Sequence, residues 1–338
     1  LISEFIPAPQ GRHQLAVPEL CLDSKTMRRN KGKKELEDYY AEVSAQFPFQ
    51  SYTDAVEQRG VTLRQIQRVV EHTRRNCHRW IAPTGKKKKI SFDGANHHQL
   101  TEWVILPATQ ARHCAFMELL SGQKQPSQWF VSHAWSDGLA NFAHCLERHA
   151  LARGLGEDSP FWVAAYSLRQ HSTDPKLGKS LNDSPLTRTL QAAEGMLFIL
   201  GDRTKTSDDP AALSRLWCML EVAMACSPSG NKAMGDGRLL LDVAIHGTSR
   251  VDLLTDGLTK IERHAETACP GAGLQAQAAR EQIFPAECLE AGLDLQLEEC
   301  MVTADQDRGL ILNALAGKKM QEMQGEVFLK EHASYAAT

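Results

Sequence analysis

The sequence predicts an α/β domain built on a doubly wound, mainly parallel sheet, preceded by an N-terminal helical extension. Two observations carry this expectation. Beyond Gln128, short apolar runs appear that do not alternate with polar residues, as expected of strands buried on both faces of a parallel sheet. Stretches with helical periodicity fill the gaps between them, and strand–helix alternation of this length builds an open sheet with helices on both sides.

The strands are expected at Trp129–Ser132, Phe161–Tyr166, Met196–Leu200 and Leu239–Ile245, with a shorter alternating candidate at Leu293–Leu297. The helices are expected at Leu139–Leu151, Pro185–Ala193, Leu213–Ala225 and Ala304–Leu315. Upstream, Thr62 and Gln65 have the spacing of a capping box. Leu63, Ile66, Val69, Val70, Cys77 and Trp80 fall near one face of the helix that follows, which should end before Pro83. Leu1 to Leu22, interrupted by Pro7, Pro9 and Pro18, reads as an extended arm. The expected organisation is an extension over residues 1–95, a connecting segment over 96–127 packed on the main domain, the α/β domain over 128–317 and a helical tail over 318–338.

Composition narrows the function classes. With 42% hydrophobic residues in 338, the chain can bury a full core. Lys plus Arg total 38 against 41 for Asp plus Glu, so no global field draws the protein to nucleic acid or to an anionic membrane. Positive charge is local, in Arg28, Arg29, Lys31, Lys33 and Lys34 and in the tetrad Lys86 to Lys89. These runs are expected to be solvated loops that serve as docking surfaces for other proteins, with phosphate contact as the weaker alternative. No apolar run approaches the ~20 residues that cross a bilayer. Nine cysteines, an odd number with no CxxC pair or zinc spacing, read as reduced thiols of an intracellular protein. The start at Leu1 reads as a processed product or a fragment, which leaves cytoplasm or organelle open.

Several motif-like strings fail on chemistry. Gly178-Lys179-Ser180 ends like a phosphate-binding loop, but Thr173 stands where the first glycine is needed. His144, Glu147 and His149 do not have HExxH spacing and are expected on a solvated helix face. Asp305, Asp307 and Gly309 lack the liganding residues of a calcium loop. Asn182-Asp183-Ser184 is a glycosylation acceptor only in a secretory protein, and Pro185 follows it. No metal site is expected.

What survives is a series of pieces in order: Trp129 to Trp135, Phe161 to Val163, Ser184 to Leu200 and Ser214 to Val222. Together they resemble a TIR domain, a flavodoxin-like fold, over roughly half the chain. In plant-type members the first strand ends in a Ser-containing turn, and a Ser-[KR]-x-Trp-Cys-x-x-Glu helix follows the third strand. Ser214 to Val222 matches that last pattern. The chain also resembles protist proteins that carry Phe-Val-Ser-His-x-Trp, here Phe130 to Trp135.

The resemblance implies Glu221 as the counterpart of the glutamate with which enzymatic TIR domains cleave the nicotinamide–ribose bond of NAD. One carboxylate suffices, because nicotinamide leaves as a neutral ring and the ribosyl centre left behind is oxocarbenium-like. Leu213, Leu216, Leu220 and Met224 should form the buried stripe of that helix, with Glu221 and Trp217 on a flanking face. Ligands of doubly wound sheets bind beyond the C-terminal strand ends, where Ser132, His133, Trp135, Tyr166, Gln170 and His171 are expected together with Trp217. Glu221 should then face an open cleft near Ser132, His133 and Trp135 with no arginine neutralising it, whereas a pair with Arg215 would make it structural. His133 departs from the family at the residue after the Ser, and Ser167 to Asp183 differs from the family loop.

The function expected first is a non-enzymatic assembly module, part of a larger complex, self-associating or docking on other proteins and needing no cofactor. The alternative is an NAD nucleosidase or cyclase with NAD as substrate. Nucleic-acid binding through the basic runs is a weaker third.

Overall fold

The computed structural model describes residues 24–81, 89–171, 184–202, 210–227, 239–248, 250–302 and 305–316. The expectations for the arm Leu1 to Leu22, for Lys86 to Lys88, for Gly178 to Ser180 and for the tail 318–338 lie outside the described residues. By compactness the chain divides into Leu1–Glu42 and Val43–Thr338. Helix α1, Ser24–Gln46, contains the first basic run, so Arg28 to Lys34 is helical and not the loop expected from its charge. A run of lysine and arginine does not oppose a helix, since both are good helix formers.

Within Val43–Thr338 a mixed sheet of six strands is the framework. The strands are β1 (Val61–Thr62), β2 (Trp129–His133), β3 (Pro160–Val163), β4 (Gly195–Asp202), β5 (Leu240–His246) and β6 (Val251–Leu254), in the order β1-β3-β2-β4-β5-β6. β2, β3, β4 and β5 are parallel, while β1 and β6 run antiparallel at the two edges. The four parallel strands match the four principal runs expected from sequence. Their spatial order, second-first-third-fourth, puts a topological switch point between β2 and β4.

Both faces of the sheet are covered. Trp129, Val131 and His133 alternate toward helix α3 (Leu139–Arg153), where Trp129 meets His149 and His133 meets Phe142. Phe130 and Ser132 point the other way, toward helices α4 (Pro185–Ala192) and α5 (Leu216–Cys226). Gly195 opposes Trp129 in register, and a Cβ there would collide with the indole. We therefore expect Gly195→Ala to destabilise the domain by roughly 1–3 kcal/mol, read as a lowered urea midpoint. An unchanged midpoint would show that Trp129 can move aside.

The capping box forms as expected, with Gln65 N donating to Thr62 Oγ1 at 3.2 Å and Thr62 N donating to Gln65 Oε1 at 3.0 Å. Helix α2, Leu63–Asn76, buries Leu63, Ile66, Val69 and Val70, and Cys77 and Trp80 beyond it are also buried.

Several expectations need correction. Phe161–Tyr166 is a strand only to Val163, because Ala164–Ser167 turns as a helix. Leu293–Leu297 is no strand. Leu293 ends helix α8 (Ala286–Leu293) and Leu297 begins a 3₁₀ turn. The sheet starts well before residue 128, since β1 pairs with β3. Helices α6 (Lys260–Ala268) and α7 (Ala272–Glu281) were not anticipated. Arg280 of α7 donates to the edge carbonyl of Leu253 at 2.9 Å and to Glu262 of α6 at 2.7 Å, which covers the free edge of β6. The expected last helix is α9, Asp305–Leu315.

His149 also departs from expectation. It is fully buried rather than solvated, and its Nε2 lies 2.9 Å from Asp242 Oδ2 on β5. Arg153 clamps the same carboxylate through two nitrogens and donates to the Asp256 carbonyl at 3.0 Å. Burial alone would raise the Asp242 pKa, yet hydrogen bonds from His149 and Arg153 outweigh it and hold Asp242 below its ordinary value. With every oxygen of Asp242 engaged, this cluster ties α3 to β5 and offers nothing to a ligand.

Candidate functional site

The site lies beyond the C-terminal ends of β2 and β3, one strand pair away from the switch point, with α5, which follows β4, as its other wall. A cavity of about 230 Å3 opens there. Its walls include His133 at the end of β2, Trp135 after it, Gln170 after β3, Arg215, Trp217, Cys218 and Glu221 from the cap and first two turns of α5, and His98 from the segment between β1 and β2.

Helix α5 is held at its N-terminus by chain outside it. Arg215 is the N-cap residue in extended conformation, Leu216 N donates to the Met301 carbonyl at 3.0 Å, and Met301 N donates to the Ser214 carbonyl at 2.7 Å. Of the predicted stripe, Leu216, Leu220 and Met224 lie on α5 and are buried, which fixes the rotation of the helix, while Leu213, also buried, precedes it because the helix starts three residues later than expected. That rotation turns Glu221 to the cavity and also brings Cys218 to the wall. Trp217 is partly buried and donates its indole N–H to Asp307 of α9 at 3.2 Å, which fixes the ring.

Glu221 is only 8% exposed, and Ser132 Oγ donates to its Oε2 at 2.5 Å. A carboxylate so desolvated, with one oxygen oriented by a hydroxyl, is a preorganised partner for developing positive charge. Arg215 lines the same cavity as Glu221.

The other groups are tuned by burial. The His133 imidazole is pushed down to about 3, mainly by burial and further by His98. His98 is lowered by its own burial and by Arg215. The Cys218 thiol is pushed far up by burial, with Glu221 adding to the effect, so it stays protonated and is no nucleophile. His98 and Trp135 rings sit 5.7 Å apart, and His97 N donates to the Trp135 carbonyl at 3.1 Å, which anchors the turn after β2.

Of the residues predicted from sequence, His133, Trp135, Gln170, Trp217 and Glu221 come together on the cavity wall. Ser132 lies behind the wall, 1% exposed, and acts through Glu221. Gln170 spends its amide donors on the Ala164 and Ala165 carbonyls at 3.0 and 3.2 Å. Tyr166 is fully buried and its hydroxyl meets His97 Nε2 at 3.3 Å, so it cannot touch a ligand directly. His171 also stands apart from the cavity lining. Its Nε2 engages Thr109 Oγ1 at 3.0 Å and the Leu106 carbonyl at 3.1 Å, and its ring stacks on His113. Sequence reasoning missed His98, which no local pattern marks. It treated Arg215 only as a pairing partner, although its place directly before the helix was a usable signal.

Among the described residues no group of His, Cys, Asp and Glu is arranged to hold a metal ion, and no helix is long and apolar enough to cross a membrane. The described cysteines carry free thiols. No family model matches this chain, and no curated protein or solved structure matches it either.

Proposed function

We propose that the domain built on this sheet is TIR-like and flavodoxin-like and cleaves the nicotinamide–ribosyl bond of NAD, with Glu221 as the catalytic carboxylate. The observation that carries this reading is the desolvated Glu221, bonded to Ser132 and facing a cavity flanked by the Trp135 and Trp217 indoles. The strand order β3-β2-β4-β5 is that of flavodoxin-like sheets and supports the same reading. At about 230 Å3 the cavity is smaller than the roughly 300–1,000 Å3 of drug-sized ligand pockets, so it suits one end of a dinucleotide. The indoles offer aromatic faces to a pyridinium ring. Nicotinamide departs neutral with the bonding electron pair, Glu221 stabilises the cationic ribosyl carbon, and water adds there and gives up its proton to solvent. Incubation of the protein with NAD should release nicotinamide, measured chromatographically. No release at high protein concentration sinks the reaction.

A second reading, an assembly module, is favoured by apolar side chains left in solvent on and beside α6, α7 and α8. Ile261, Leu274, Ile283, Leu289 and Leu293 are each more than half exposed, Leu293 by 85%. Single exposed apolar residues are ordinary, but several on consecutive helices suit a protein partner or a second copy. Size-exclusion chromatography with light scattering should then show self-association or a complex. A strict monomer that captures no partner counts against it.

A further inference from the structure

His133 is one member of a buried polar chain. Its Nε2 lies 3.2 Å from His97 Nδ1, and His97 Nε2 lies 3.3 Å from the Tyr166 hydroxyl. His97 and Tyr166 are fully buried and His133 is 6% exposed. Packing is close on every side: the His97 ring makes edge contacts with His133, Phe142 and Tyr166. Among the described residues the Tyr166 hydroxyl has no hydrogen-bond partner but His97, and His133 Nδ1 has none.

That arrangement fixes the direction of the protons. A hydroxyl donor sealed in a core without an acceptor is penalised, so Tyr166 donates to His97 Nε2. His97, neutral because burial keeps its pKa well below the ordinary value, then carries its proton on Nδ1 and donates it to His133 Nε2. His133 is left with its proton on Nδ1. In the reverse direction the tyrosine hydrogen has no acceptor, so the chain has one favourable polarity.

We propose that the Tyr166–His97–His133 chain fixes His133 Nδ1–H as a hydrogen-bond donor at the cavity wall, and that this donor takes the carboxamide oxygen of a nicotinamide ring. The choice of ligand atom rests on the reading above, while the polarity of the chain does not. The carboxamide oxygen is neutral and suits a neutral donor, whereas a phosphate would call on the nearby Arg215. Glu221 and His133 then hold the ligand from two chemically distinct sides, the carboxylate toward the cationic ring system and the imidazole toward its acceptor. His133 acts here as a positioning and specificity residue, and Tyr166 works through it.

The test is nitrogen NMR of the full chain labelled with 15N-histidine, with His133 assigned through His133→Gln. At neutral pH His133 should show the Nδ1–H tautomer, and titration with nicotinamide should shift the Nδ1 signal while 3-methylpyridine, which lacks the carboxamide, should not. An Nε2–H tautomer or an imidazolium overturns the proposal, as does an equal response to the two probes. Tyr166→Phe should give mixed tautomers and weaken nicotinamide binding roughly five- to tenfold. The parent protein decides the tautomer even where that variant fails to fold. Failure to cleave NAD with the Nδ1–H tautomer intact would remove the reaction and leave the donor standing. Cleavage with the opposite tautomer would do the reverse.

Discussion

Acidification from pH 6.5 to pH 4 should unfold the domain far more steeply than its carboxylates alone would cause. Four core imidazoles are held below their ordinary pKa; in His149 the Asp242 carboxylate offsets part of the shift, and the other three carry the argument. Burial, with Arg68 and Arg79 adding to it, pushes His72 down to about 4; burial pushes His133 to about 3 and His97 well below the ordinary value. In the unfolded chain each titrates near 6.5, so between about pH 6.5 and pH 4 the unfolded state binds protons that the folded state refuses. Stability is therefore complete above pH 6.5 and is lost as pH falls through this window. Each such histidine contributes up to about 1.4 kcal/mol per pH unit, so the three together approach roughly 4 kcal/mol per unit. Set against a total of ~5–15 kcal/mol for a typical domain, that is enough to move the unfolding midpoint to near pH 5. Urea midpoints at pH 7, 6 and 5 would reveal the slope, and equal midpoints at all three would refute it. His72→Asn should remove about a third of the slope. The His72 Nδ1 contact with Gln46 Oε1 at 2.9 Å does not alter the sign, because an amide oxygen accepts from the neutral ring as well.

The parts of the fold legible in sequence are those where one chemical pattern had one structural outcome. Trp129 to Val131 and Met196 to Leu200 are buried on both faces, so they read as parallel strands without ambiguity. Helix α5 was legible because its apolar stripe and its Trp-Cys-x-x-Glu string coincide, and that alone positioned Glu221. Short elements behaved differently. β1 is Val61–Thr62, too brief for any periodicity, and it exists because tertiary pairing with Phe161 and Pro160 supplies what local sequence does not. Leu293, Leu295 and Leu297 alternate like a strand, but a five-residue alternation is equally compatible with the end of a helix running into a 3₁₀ turn. Helices α6 and α7 are short, and their apolar residues lie largely in solvent, so no buried stripe announced them. In the site, Tyr166 was expected at the wall as the last residue of a strand, and His171 because it follows that strand. The helical turn at Ala164–Ser167 instead sends the tyrosine inward, and contacts to Leu106 and Thr109 draw the histidine aside. His98 reaches the cavity from a segment far away in sequence, which only tertiary structure reveals.

Glu221→Gln should reduce NAD cleavage by about a hundred- to a thousandfold while leaving the fold intact, an effect of the size seen when one preorganised electrostatic group is removed from a reacting centre. The substitution preserves side-chain volume, and an amide oxygen can still accept the Ser132 hydroxyl, so the short contact between β2 and α5 survives. What disappears is the negative charge. Glu221 is 8% exposed, so its charge is screened less by water than a surface carboxylate would be, and its loss falls on the step that develops positive charge at the ribosyl carbon. Arg215 on the same wall sharpens the expectation. With the carboxylate gone, the positive charge on that wall is met by no negative charge from Glu221 and disfavours the cationic ring and the transition state together. The loss should therefore appear in kcat and in kcat/KM, and Arg215→Gln combined with Glu221→Gln should recover part of it. Ser132→Ala, which keeps the charge but frees the carboxylate to rotate, should cost only about tenfold through one neutral-to-charged hydrogen bond. Stability should separate the roles further. Glu221→Gln should melt within about 1 kcal/mol of the parent, since side-chain volume is kept and no cavity is created. Full retention of NAD cleavage by Glu221→Gln would refute the assignment. A parent and variant that are both inert, and that self-associate alike, would place the function of this domain in assembly.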